Sequence, residues 1–162
     1  MVPVVQISLD LTNIDEALEK PAGVTLAVAV AKAEKGFSIR ASVDNLETPG
    51  EKVSLRFILA EERVRFTGGN GIRFHHMVGR ALPGGAKGFP LPKTSPAEPV
   101  TGDADAVKAT LVKYLDDTAK ADGDFPRPDR PLAMKNLKVI AFVQNDATKE
   151  ILHAVQVDLD AK

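Results

Sequence analysis

The chain has 162 residues, 44% hydrophobic and 27% charged, enough apolar side chain for one globular domain and too much for a disordered segment. Its 21 Lys and Arg stand against 22 Asp and Glu, and a net charge of −1 exerts no overall pull toward nucleic acid or anionic lipid. With no cysteine, disulfides, thiol catalysis and cysteine-based zinc sites are excluded.

The opening Met1-Val-Pro-Val-Val-Gln has neither the basic region nor the apolar core of a signal peptide, and no run approaches the ~20 apolar residues of a membrane span. Val5, Ile7, Leu9 and Leu11 alternate with polar residues, the period-two pattern of a half-buried strand. A short helix is expected from Asn13, with Glu16 completing a capping box and Pro21 ending it. Strand patterns then recur: Val24 to Val30, Phe37 to Val43 after a turn at Glu34-Lys35-Gly36, and Val53 to Leu59 after Pro49-Gly50. A hairpin follows, with Val64 and Phe66 leading into Gly68-Gly69-Asn70-Gly71 and Ile72, Phe74, His76 and Val78 leading out. Asn-Gly supplies the positive φ angles that tight hairpins require.

Residues 82–103, rich in Gly and Pro, read as an extended loop. Thr101 to Ala121 reads as one amphipathic helix, with Asp103 or Asp105 as cap, a stripe of Val107, Leu111, Tyr114, Leu115 and Thr118, and Gly123 and Pro126 as stops. Leu137 to Val143 is apolar on both faces, as in a strand at the centre of a sheet, and Asn145-Asp146-Ala147-Thr148 turns it into a last strand from Ile151 to Asp158. The expected fold is mainly β: a two-layer antiparallel sandwich of the Ig-like or jelly-roll-like kind, a single domain over 1–162 with a loop–helix insertion at 82–135.

Candidate chemistry is sparse. Arg63, Arg65, Arg73 and His75, joined by Arg56 and Arg40, suggest a basic stripe on the hairpin, suited to an anion, an acidic glycan or a nucleic-acid backbone. Glu61 and Glu62 interrupt it, and the balanced charge argues against nucleic acid. Phe89 and Leu91, in the Gly/Pro-rich loop, are either exposed anchors for a partner or pins that hold the loop to the core. Of the three histidines, His75 and His76 are adjacent on a strand and point to opposite faces, so they do not grip one ion. His76 and His153 each share a face with apolar residues and are expected to point inward. If their strands neighbour each other, they form a metal site with Glu61 or Glu62; otherwise they are hydrogen-bonded core histidines. The glycine-rich stretches match neither a P-loop nor a dinucleotide fingerprint, and there is no nucleophile elbow and no His-Glu-x-x-His helix. No cofactor is implied.

Two stretches carry a resemblance. Leu55-Arg-Phe-Ile-Leu-Ala-Glu-Glu-Arg-Val-Arg-Phe-Thr-Gly-Gly-Asn-Gly-Ile-Arg-Phe-His-His-Met-Val-Gly-Arg80 and Leu137-Lys-Val-Ile-Ala-Phe-Val-Gln-Asn-Asp-Ala-Thr-Lys-Glu-Ile-Leu152 resemble the C-terminal β-sandwich of Omp28-like proteins and of exported bacterial proteins in which such a module follows a thioredoxin-like domain. The resemblance implies an extracytoplasmic accessory module excised from a longer chain, a protein as its partner, and no catalytic residues of its own. Two functions stay open: a non-catalytic binding or interaction module, and a metal-binding or metal-dependent enzyme domain using His76 and His153.

Overall fold

The computed structural model describes residues 23–33, 36–47, 50–67, 69–91, 99–125 and 130–159, together with Glu19. The strand expected over Val5–Leu11 and the helix expected from Asn13, apart from the helical Glu19, lie outside the described residues. The elements run β1 (Thr25–Lys32), β2 (Phe37–Asp44), β3 (Gly50–Arg65), β4 (Phe74–Ala81), β5 (Phe89–Leu91), β6 (Val100–Gly102), α1 (Ala104–Asp122), β7 (Leu137–Asn145) and β8 (Ile151–Asp158). They form two antiparallel sheets. One has the order β1-β2-β6, and the other runs β4-β3-β7-β8 with β5 also paired to β3. The mainly β, two-layer sandwich carrying the helix α1 is the expected class.

Alternation explains the layers. Val24, Leu26, Phe37 and Ile39 from the first sheet face Val53, Leu55, Phe57, Leu59, Val139, Ala141 and Val143 from the second, all buried. The register places Leu55 opposite Val143, Phe57 opposite Ala141 and Leu59 opposite Val139, so one face of β3 and β7 forms a continuous apolar floor. β7 lies inside its sheet as expected, although Ile140 and Phe142 on its outer face are only half-buried.

Three local expectations are corrected. Ala60-Glu61-Glu62 does not end a strand: Val53–Leu59 and the first hairpin arm are one 16-residue strand. Residues 82–103 are not a plain loop, since β5 continues the edge begun by β4 along β3, and β6 extends the other sheet beside β2. The helix begins at Ala104, where Asp103 accepts hydrogen bonds from the Asp105 and Ala106 amides, and Gly123 closes it at φ 94° with its N–H on the Ala119 carbonyl. Val107, Leu111, Leu115 and Thr118 are half-buried as the stripe predicts, but Tyr114 is 65% exposed and no helix residue is buried.

Candidate anion-binding hairpin

The length of β3 creates the site. Sixteen residues at ~3.3 Å each extend roughly 50 Å, about twice the reach of the eight-residue strands β1 and β2. Along the inward row of β3, Val53, Leu55, Phe57 and Leu59 are buried, Glu61 is the last buried member, and Arg63 and Arg65 emerge exposed. The same row thus changes from apolar to charged at Glu61, where the pairing of β3 with β7 ends.

At that transition Glu61 is 2% exposed and closed against Arg80, whose Nε and Nη2 donate to Glu61 Oε2 at 3.0 and 2.6 Å. The Lys135 amide donates to Glu61 Oε1 at 3.2 Å, and Arg80 Nη2 also donates to the Pro131 carbonyl at 2.6 Å. A buried carboxylate needs such saturation because desolvation of an unpaired charge costs several kcal/mol. Glu61 therefore holds the segment entering β7, and it neither ligates nor screens the hairpin.

Beyond Glu61 the hairpin presents two different faces. Register sets Arg63 opposite His76 and Arg65 opposite Phe74, so these four side chains share one face. All four are exposed, with Phe74 at 42%, and Ile72 at 50% lies just before the strand. The Arg63 guanidinium lies 4.4 Å over the Phe74 ring, a cation–π contact that orients it. The other face carries Val64, buried, with His75 beside the Phe66 ring and His75 Nε2 hydrogen-bonded to the Phe66 carbonyl at 3.0 Å. At the tip Asn70 Oδ1 accepts from the Ile72 amide, but of the Asn-Gly pair only Gly71 takes positive φ, at 76°, and the strands end at Arg65 and resume at Phe74, so the connection is longer than the tight turn expected.

The predicted basic stripe is therefore redistributed. Arg63 and Arg65 stay together and exposed, and among the described residues no carboxylate pairs with them or with Arg73. His75 is half-buried on the opposite face, and Arg73, exposed, sits across from Phe66 at the turn. Arg40 belongs to β2 in the other sheet. Arg56 is engaged on the outer face of β3: it donates to Asp146 Oδ1 at 2.6 Å, Gln144 Oε1 at 2.9 Å and the Ala86 carbonyl at 3.1 Å. Asp146 also accepts from Ser54 Oγ at 2.6 Å, and that bond, followed by the one from Arg56, holds its carboxyl below the ordinary aspartate value.

The other sequence candidates resolve as structural. Leu91 is 1% exposed in the core, and the half-buried Phe89 meets Phe57 edge-on at 6.1 Å, so both pin the loop and neither is free to anchor a partner. His153 does face inward, and its Nδ1 lies 2.8 Å from the Val24 carbonyl, tying β8 to the chain entering β1. His76 is exposed, and β3 and β7 stand between its strand and that of His153, roughly 14 Å at the usual strand spacing. The two imidazoles do not meet, and among the described residues no group of three or more metal-binding side chains is assembled. Phe74, expected in the core, is the site residue that sequence reasoning missed. Its signal is its place two residues before His76 on a strand opposite Arg65. Compared with known proteins, the chain matches no family model, no curated protein and no solved structure.

Proposed function

We propose that this chain is a non-catalytic binding module, an accessory domain of an exported bacterial protein, which engages a protein partner through the exposed face of the β3–β4 hairpin. One observation carries the reading: Arg63 and Arg65 are exposed on β3, paired to β4, with no carboxylate partner among the described residues. Elsewhere the half-buried and buried guanidiniums of Arg56 and Arg80 are matched to Asp146 and Glu61, so the fold pairs its cations where it needs them. Charged groups held on a rigid scaffold with no internal partner suit recognition, because little ordering entropy remains to be lost on binding. The accessory and extracytoplasmic parts rest on the resemblance to Omp28-like sandwiches.

A photocrosslinking amino acid at Phe74, compared with one at Arg40 on the other sheet, tests the contact surface in the native cells. The expected result is a discrete protein adduct from position 74 and none from position 40. Equal adduct patterns at both positions would overturn the assignment.

A further inference from the structure

The hairpin face has a chemistry that selects among ligands. Arg63 and Arg65 are two residues apart on a regular strand, so their Cα atoms are separated by ~6.6–6.8 Å, with Phe74 and His76 forming a parallel row ~4.5–5.5 Å away. The Arg63 guanidinium carbon lies 4.4 Å over the Phe74 ring, and among the described residues no hydrogen bond or ion pair takes up its N–H groups, which leaves them available to a carboxylate. Arg63 lies over one face of the Phe74 ring, so that face does not serve as a platform for a nucleotide base. The surface is two strands wide. An extended chain lying along it turns alternate side chains downward at the same pitch as the arginines.

We infer that the Arg63–Arg65–Phe74–His76 face binds an extended acidic segment of a partner protein, with carboxylates at alternate positions. This rests on the reading that the hairpin is the contact surface.

The test uses the full chain and three fluorescent probes at low salt, about 50 mM, where surface charges are weakly screened. The probes are a peptide of alternating Glu and Ser, a peptide of the same composition with all Glu in one block, and a single-stranded oligonucleotide of equal charge. The expected result is at least threefold tighter binding of the alternating peptide than of the other two. Arg63→Glu/Arg65→Glu should weaken it at least tenfold while keeping the wild-type thermal midpoint, and should gain affinity for an alternating Lys-Ser peptide. The milder Arg63→Gln/Arg65→Gln pair should lose affinity without that gain. Equal binding of the block peptide, or preference for the oligonucleotide, with either still lost in the variants, overturns the acidic-segment proposal and leaves the hairpin as the contact surface. Binding of none of the probes that depends on Arg63 and Arg65 overturns both.

Discussion

Arg80 reaches Glu61 at 2.6 Å inside the end of the sandwich, with side-chain exposures of 9% and 2%. The pair joins the edge strand β4 to the central strand β3 and, through Pro131 and Lys135, to the segment entering β7. It is the point where the apolar core hands over to the projecting hairpin. A salt bridge so placed is weak evidence for net stability, because the cost of desolvating both ions offsets their attraction, but each ion depends heavily on the other.

Removing one partner should therefore be costly. Glu61→Gln or Arg80→Ala is expected to lower the unfolding free energy by about 3–5 kcal/mol. The double replacement Glu61→Leu/Arg80→Leu should recover much of that loss. Urea unfolding of the single and double variants measures it, and additive losses would show that the two side chains do not act as a pair.

Asp146 gives an acid-side prediction. Its carboxyl is held below the ordinary value of 3.8 by the Ser54 hydroxyl and the Arg56 guanidinium. A depressed folded-state pKa contributes stability that is present above the unfolded value and is lost as pH falls through the folded one. Stability of the wild type should therefore decline below about pH 4, and Asp146→Asn should flatten that decline. Denaturation midpoints from about pH 6 to pH 2 decide the matter, and identical slopes would remove Asp146 from the acid response.

Gly88 seats the turn between β4 and β5 against β3. It has φ 66°, and a Cβ there would lie 2.4 Å from the Leu55 carbonyl oxygen. Gly88→Ala combines left-handed backbone strain with a clash against main chain, for an expected loss of about 1–3 kcal/mol. Gly85 also has positive φ, at 85°, but open space around it, so Gly85→Ala should cost less. Thermal unfolding of the two variants separates contact from conformation.

Leu91 and Arg63 should behave as opposites. Leu91→Ala removes a core side chain and should cost about 2–5 kcal/mol without changing the probe selectivity of the fraction that stays folded. Arg63→Ala should change stability by less than about 0.5 kcal/mol while weakening capture of the acidic peptide. Paired unfolding and binding curves check both. A stable Leu91→Ala variant with lost binding would return Leu91 to the role of partner anchor.

Much of the fold was legible because burial follows period two. Phe37–Val43, Leu137–Val143 and Ile151–Asp158 all read correctly from alternation alone. The site was harder because strand length, not strand face, decides exposure there. His76 and Phe74 do share a face, but the expectation that this face is buried fails beyond Glu61, where β3 has outrun its pairing with β7. Glu61 looked like an interruption because it occupies the fifth place in an apolar row, and its partner Arg80 lies 19 residues away across a bulged pairing. That lone acid in an inward row was the available signal for a buried pair. Phe89-Pro-Leu91 carried an apolar pair at strand spacing, hidden by the surrounding glycines and prolines.

The reach of β3 past the end of its pairing with β7 separates what the domain must keep from what it can change. Lengthening or shortening the hairpin by two residues on each arm preserves side-chain parity, and with it the core, while moving the cationic row along the strand axis. An odd insertion on one arm shifts register and rotates Arg63 and Arg65 toward the side now held by Val64 and His75. Paired indels in the hairpin arms thus alter its reach without renegotiating the rest of the molecule.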